Sequence, residues 1–170
     1  MRRKDRNLDE KTALEIIDRC EYAVISCADD NGGIFSIPIS IAREGMSVYI
    51  HGAVAGSKAR LFKDGRDVEI VCVSYNKVPE HTEAEFEAMK DDGAKLGSRV
   101  FTTEYKSAIA KTKVYPVTDD TKKIKALRLL CEKYTPEYMS AFKTAAIHGL
   151  KATSIYEFKI QSLSAKAKIL

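Results

Sequence analysis

The sequence predicts a mainly β fold with peripheral helices, in which about six or seven antiparallel strands form a small closed or partly closed barrel. Short apolar runs rich in β-branched and aromatic residues are joined by turns that contain glycine. Helical patterns occur only at the start, after the third strand and late in the chain. There is no regular alternation of strand and helix, which a layered parallel sheet would require.

Composition narrows the class of protein. The 170 residues are 45% hydrophobic and 31% charged, which is typical of one soluble globular domain. The net charge of +4 (28 basic minus 24 acidic residues) is small and scattered, so we expect no nucleic-acid partner. No apolar run approaches the roughly 20 residues that span a bilayer, and the start lacks the apolar segment of a signal peptide. We therefore expect no membrane partner and a cytoplasmic location.

The four cysteines lie in apolar settings without a CxxC or Cys/His pairing: Cys20, Cys27, Cys72 and Cys131. Zinc sites and small disulfide frameworks have closer, patterned spacings. We expect reduced, buried thiols that behave as small hydrophobic groups, and no metal site.

The first elements are a helix and three strands. An amphipathic helix begins at Asp9 and runs to Cys20. The strands that follow are predicted at residues 22–28, 34–42 and 46–50, joined by tight turns into an antiparallel meander. Pro38 lies within the second of them and cannot donate to a ladder, so that strand belongs at an edge. An ordinary edge proline and a strand that borders a ligand fit equally well.

The stretch from Met46 to Arg66 carries the clearest chemical signal. A strand meets His51 and Gly52, crosses a turn of small residues and enters a helix at residues 57–63. Glycine lets the backbone approach a ligand closely, Ser57 is a candidate cap, and Lys58 adds positive charge. Together these features suit a phosphate. The alternative is an ordinary strand-to-helix connection with solvated cations.

The remaining elements follow in order. An acidic stretch at residues 76–98 is predicted to be a surface insertion with a short helix, and a lid over a pocket is an open alternative. One domain is expected over residues 1–160, with a polar, loose tail at 161–170. The other predicted elements are strands at 68–75, 99–110, 111–117 and 153–160, a helix capped by Asp119, and a helix at 136–148.

The order of these elements and four motifs resemble the FMN-binding split β-barrel. The motifs are MRRKDR at the start, Ile37-Pro38-Ile39, the block from Tyr49 to Lys58, and Tyr105-Lys106-Ser107. The similarity runs from Met1 to about Ile160 and is greatest to the nitroimidazole-resistance (5-nitroimidazole reductase-like) branch of the pyridoxamine 5′-phosphate oxidase-like superfamily. It implies an antiparallel, Greek-key-like barrel.

The resemblance also implies a cofactor site, namely FMN at the interface of a homodimer. Ser57 and Lys58 match positions that bind the FMN phosphate, and Ser107 matches a flavin-contacting position. His51 matches a histidine placed near the flavin. The strand along the isoalloxazine corresponds to Ile37, Pro38, Ile39 and Ser40. The long acidic insertion, and Ala110-Lys111-Thr112-Lys113 in place of a strand that usually contains glycine, depart from the family pattern on the substrate side.

The implied function is an FMN-dependent oxidoreductase that takes electrons from a nicotinamide donor and reduces a small nitroaromatic or quinone-like acceptor. His51 is the candidate catalytic residue, since an imidazole can position or protonate the acceptor. A strand-end histidine bonded to backbone is the alternative, and structural roles are expected for His81 and His148. The alternative functions are a non-catalytic flavin-binding or haem-binding module and a pyridoxamine 5′-phosphate oxidase-like enzyme.

Overall fold

The structure is a computed structural model that describes residues 3–63 and 65–170. Met1 and Arg2 of the MRRKDR motif, and Asp64, lie outside the described residues. The strands are β1 Asn7–Leu8, β2 Ala23–Ala28, β3 Ile34–Ile39, β4 Ala42–Glu44, β5 Ser47–Ala53, β6 Arg66–Lys77, β7 Glu104–Val117 and β8 Thr153–Lys168. The α-helices are α1 Glu10–Arg19, α2 Ser57–Leu61, α3 Glu83–Glu87, α4 Gly93–Lys95, α5 Asp120–Tyr134 and α6 Phe142–Gly149.

The strands form one antiparallel sheet in the order β3-β2-β6-β7-β8-β5-β4, and β1 pairs with β8. β3 and β4 are consecutive in the chain and yet lie at opposite ends of this order. The sheet therefore curls until its two ends approach each other without pairing, which gives a split barrel. The predicted fold class is confirmed.

Aromatic packing fills the barrel interior. Phe62, which follows α2, is 1% exposed and lies edge-on to Phe35, Tyr156 and Phe158 at centroid distances of 6.0, 5.4 and 5.4 Å. Edge-to-face pairs at such distances favour a defined geometry beyond simple burial. They fix α2 across the end of the barrel, between β3 and β8.

Helices cover the barrel on two further sides. α1 is capped by the Asp9 carboxylate, which accepts from the backbone N–H of Thr12 at 2.8 Å, and its apolar face joins the main core. The predicted helix after Asp9 is confirmed. α5 is capped by Asp119, as predicted, and packs on the outside of β4, β5 and β8. Ile155 of β8, which is 1% exposed, is buried on the side of the sheet that α5 covers.

The predicted meander is wrong at one point. The strand expected at 34–42 is broken at Ser40 and Ile41, so that β3 pairs with β2 while β4 pairs with β5. The hydroxyl of Tyr134 accepts from the Ile41 N–H at 3.0 Å and donates to its carbonyl at 3.1 Å. The break is therefore stable because a side chain on α5 replaces the missing ladder bonds.

Two further predictions are corrected in the second half of the chain. The strands expected at 99–110 and 111–117 are one strand, β7, because no turn residue separates Ala110 from Lys111. β7 begins at Glu104, so the strand predicted from residue 99 starts five residues too early; Arg99 and Val100 belong instead to a π-helical turn. The tail expected to be loose at 161–170 is instead strand: β8 continues to Lys168, paired with both β7 and β1. An extra residue, Gln161, forms a bulge that lets β8 follow the bend of the wall.

The acidic insertion carries two short α-helices, α3 and α4, and a single π-helical turn at Leu96–Val100. β6 extends to Lys77, so the insertion begins at Val78. The Lys168 ammonium of β8 donates to the Ser98 carbonyl at 2.9 Å and to the Thr102 hydroxyl, which ties the insertion to the end of the barrel. Among the described residues, no helix is long and apolar enough to span a membrane.

Candidate functional site

The end of β5 brings together three of the residues that the sequence singled out. The Lys58 side chain folds back over Gly52: a Cβ on this glycine would lie 2.5 Å from Lys58 Cε and 3.1 Å from Nζ. His51, the preceding residue, is exposed and lies close enough for the Lys58 charge to act on it. A lysine ammonium and an imidazole thus lie at one corner of the barrel, and the absence of a side chain on Gly52 leaves the space that Lys58 occupies.

The start of α2 differs from the prediction. Gly56, and not Ser57, is the cap residue; its φ of 99° is in the left-handed region, which glycine adopts without strain. Ser57 is exposed as the first helical residue. With five residues, α2 is too short for a substantial macrodipole. Any affinity for an anion here depends mainly on side-chain charge.

Lys58 is the cation of α2 that has no acidic partner among the described residues. The Asp30 carboxylate accepts from Arg66 at 2.9 Å and from Arg60 at 2.7 Å, and these two hydrogen bonds hold the pKa of Asp30 below its usual range. Partial burial of the imidazole, and then the Lys58 charge, lower the pKa of His51 from its ordinary value. This lowered pKa favours the neutral imidazole, which can donate with one nitrogen and accept with the other.

β3 lies beside α2, as the contacts of Arg60 with Asp30 and of Phe62 with Phe35 require. Ile37 and Ile39 pack against the core, whereas Pro38 is exposed on the outside. Among the described strands β3 pairs only with β2, so the edge position predicted from Pro38 is confirmed. Pro38 lies three residues beyond Phe35, roughly 10 Å along the strand.

Pro38 and Ser107 face the same side of the wall. Pro38 lies directly opposite Val24, Val24 opposite Val71, and Val71 opposite Ile109, two residues from Ser107. Residues opposite each other in a sheet, and residues two apart in a strand, point to the same face. This outer face has an apolar patch, defined by Tyr22, Val73 and Ile109, which are 57, 47 and 37% exposed.

One chain does not bring Ser107 to His51. His51 is opposite Ile155 of β8, which is opposite Val117 of β7, and Ser107 lies ten residues before Val117. That separation is roughly 33 Å along the strand. The predicted site residues therefore form two groups, one around Lys58 and the other around Ser107.

The group around Ser107 includes a residue that the sequence analysis missed. Lys166 lies directly opposite Ser107. Both line a cavity of about 290 Å³ whose other lining residues are Ile109, Ser164 and Ala165. The tail was expected to be loose, and so its side chains were not considered. The alternation of Leu163 and Ala165 with serine and lysine is the period-2 signal that could have revealed a strand.

The other histidines lie elsewhere. His81 Nε2 is 3.1 Å from the Arg99 carbonyl within the insertion, and His148 is exposed near the end of α6. Within residues 3–63 and 65–170, no three His, Cys, Asp or Glu side chains form a cluster that could hold a metal ion. Cys20, Cys27 and Cys72 are buried, as expected, and Cys131 is half-buried.

Solved structures with this fold come from several bacteria. A protein of Bacteroides thetaiotaomicron assigned to 5-nitroimidazole antibiotic resistance is 16% identical, with a TM-score of 0.70 over 95% of this chain and 86% of that one. The flavocytochrome Anf3 of Azotobacter vinelandii is 22% identical (TM-score 0.71; 95% and 68% covered). An FAD and haem binding protein of Mycobacterium smegmatis is 17% identical (TM-score 0.72; 94% and 71% covered).

These identities are low enough that the likeness shows the shared fold alone. No curated protein matches the chain by sequence. The sequence profile of the family described as pyridoxamine 5′-phosphate oxidase, in contrast, matches residues 9–167. This range includes every described strand except β1, and all of β8 but Lys168. The chain therefore belongs to the pyridoxamine 5′-phosphate oxidase family.

Proposed function

We propose that the protein is an FMN-dependent oxidoreductase that reduces a small organic acceptor, nitroaromatic or quinone-like, at a flavin held between the two subunits of a homodimer. The observation that carries this proposal is the corner formed by Lys58, Gly52 and His51, where one available cation lies over a glycine beside the edge strand β3. Structures with this fold include proteins described as binding flavin or haem.

The residues at the end of β5 fit the phosphate end of such a cofactor. Lys58 would supply the charge, and the Ser57 hydroxyl would supply a hydrogen-bond donor. Arg60 is engaged with Asp30. One available lysine suits a single terminal phosphate, and this favours FMN over a dinucleotide flavin.

The exposed backbone and ring of Pro38, with Ile37, Ile39 and Ser40 around it, would border the flavin ring from the edge of β3. Ser107 would complete the site from a second copy, because roughly 33 Å separates it from His51 in one chain. The apolar outer-face patch would be covered in the same contact.

A bound flavin supplies electron transfer from a nicotinamide donor to an acceptor. The protein residues orient the flavin and the acceptor and supply charge beside them. As a neutral imidazole, His51 would hold an acceptor oxygen by donating a hydrogen bond, and it could relay a proton to that oxygen.

The first test is the absorption spectrum of the purified protein, followed by titration of FMN into wild type, Lys58→Ala and Lys63→Ala. Lys63 is exposed just after α2 and is the matched control. We expect flavin bands or FMN binding, weakened roughly tenfold by Lys58→Ala and unchanged by Lys63→Ala. Rapid mixing with a reduced nicotinamide cofactor and a nitroaromatic then tests turnover.

Absence of FMN binding by wild type would overturn the proposal. A Soret band in place of flavin bands would assign the protein to haem handling. If the protein binds flavin but nicotinamide cofactors do not reduce that flavin, the oxidoreductase proposal is wrong and the protein is a flavin-binding module.

A further inference from the structure

The cavity beside Ser107 has a chemical character that the proposed function does not use. It holds about 290 Å³, near the lower end of small-molecule sites, and the Ile109 side chain gives it apolar surface. Lys166 is the charged residue of its lining. A flat, mainly apolar ligand of one ring would match this volume, and a negative substituent on it would match the lysine.

Lys166 has no acidic partner in the described part of the chain. The ion pairs there engage other lysines and arginines. Glu104, the acidic residue of β7, lies three residues before Ser107. Its carboxylate instead accepts hydrogen bonds from the Tyr75 hydroxyl at 3.1 Å and from the Leu170 N–H at 2.7 Å. Lys166 is half-buried between two β-strands, so its charge is less screened than that of a fully exposed lysine.

The strand geometry fixes where this charge lies. Lys166 is held between Ser107 of β7 and Asn7 of β1, so its backbone is paired on both sides. Its side chain projects to the outer face, the same face as Ser107 and Pro38. The cavity thus opens on the surface to which the proposed function assigns the flavin ring.

We propose that Lys166 binds the negative group of the electron acceptor, so that the acceptors of this protein are small aromatic anions, such as nitroaromatic or quinone-like carboxylates. The inference rests on the proposed function, because an acceptor must lie beside the flavin, and the proposed function places the flavin against Ser107. Ile109 contacts the ring of the acceptor, and Lys166 pairs with its carboxylate. A neutral molecule of the same shape gains only the apolar contact.

The experiment compares 4-nitrobenzoate with its uncharged isostere 4-nitrobenzamide on the full-length, flavin-loaded protein, with dissociation constants from calorimetry. We expect the wild type to bind the carboxylate roughly five- to tenfold more tightly than the amide. Lys166→Gln should abolish that preference by weakening only the carboxylate, and Lys166→Arg should retain it. Lys111→Gln, an equal change of charge on the same outer face, should leave the preference intact.

Flavin affinity is measured on the same samples, so that two failures are distinguishable. If flavin binds normally and wild type shows no preference for the carboxylate, the inference about Lys166 is wrong and the proposed function stands. If Lys166→Gln weakens flavin binding by the same factor as it weakens nitrobenzoate, the lysine belongs to the cofactor site, which also overturns it. If no variant, including wild type, binds flavin, the proposed function itself has failed.

Discussion

At Gly52 the absence of a side chain determines where the Lys58 ammonium lies. An added Cβ would lie 2.5 Å from Lys58 Cε, which is the flexible end of a side chain. We predict that Gly52→Ala displaces the Lys58 ammonium and weakens FMN binding roughly three- to tenfold while changing the free energy of unfolding by less than about 1 kcal/mol. FMN titration and urea unfolding measure the two effects.

Gly97→Ala is the control, because a Cβ there meets nothing within 4 Å. It should leave FMN affinity unchanged. Equal FMN affinity in Gly52→Ala and wild type would show that the position of Lys58 does not matter to the ligand.

His51 provides a second prediction, on pH. Its folded-state pKa is lowered below the ordinary value of 6.5, first by burial and then by Lys58, so the unfolded chain binds the proton more readily. This group's contribution to stability is therefore complete above about 6.5, the ordinary pKa, and is lost as pH falls from there through the lower folded-state pKa. We expect Lys58→Met to raise the pKa of His51 partway towards its ordinary value, as followed by NMR of the imidazole protons.

His51→Gln identifies the resonance and should remove this part of the pH dependence of unfolding. An unchanged His51 titration in Lys58→Met would mean that the two side chains do not interact in solution. Lys63→Met should have no effect, since this exposed lysine does not contribute to the shift.

β8 is the element whose integrity matters most to the barrel. Ala165 is 4% exposed and lies between Ala108 of β7 and Leu8 of β1. We predict that Ala165→Asp destabilises the protein by about 3 kcal/mol or more, because it buries an unpaired carboxylate in the core. Urea unfolding at neutral pH gives the measurement, with Ser162→Asp, an exposed outer-face position, as the control.

Equal, small effects of the two substitutions would mean that residues 161–168 are loose, as the sequence analysis expected. That expectation arose because Gln161, Ser162 and Ser164 look polar when read singly. The inward-facing residues Leu163 and Ala165 are the ones that indicate a strand. The bulge at Gln161 shifts their alternation by one residue relative to the first half of β8. A bulge is invisible to a simple period-2 count.

Elements with strong local signals were predictable from sequence. The caps at Asp9 and Asp119 have a side-chain acceptor three residues before a free backbone N–H, and both helices begin there. The break at Ser40 and Ile41 was not predictable, since it depends on a hydroxyl from Tyr134, 93 residues away. The proximity of His51 to Lys58 was likewise predictable, because the two residues are close in sequence. The pairing of Ser107 with Lys166 was not, because it joins two strands that are far apart in the chain.

For the whole molecule, the outer-face patch makes a prediction about assembly. If two copies meet on this face, Val73→Glu should convert the dimer to a monomer and lower FMN affinity at least tenfold, since each subunit would lack the partner's Ser107. The fold should be retained because Val73 is 47% exposed. Sedimentation velocity gives the mass, and circular dichroism confirms the fold.

Ile147→Glu, at a 62% exposed position on α6, is the matched control and should remain dimeric. A monomeric wild type that binds FMN with full affinity would contradict the two-subunit site.

The central place of β8 also affects the order in which the barrel can assemble during synthesis. β8 pairs with β1, β5 and β7, and it is the last strand of the barrel to leave the ribosome. Until Thr153–Lys168 emerges, those earlier strands keep unpaired edges that can recruit other chains. Closure must therefore follow translation of the whole barrel, and chaperones that shield strand edges should act on nascent chains that lack β8.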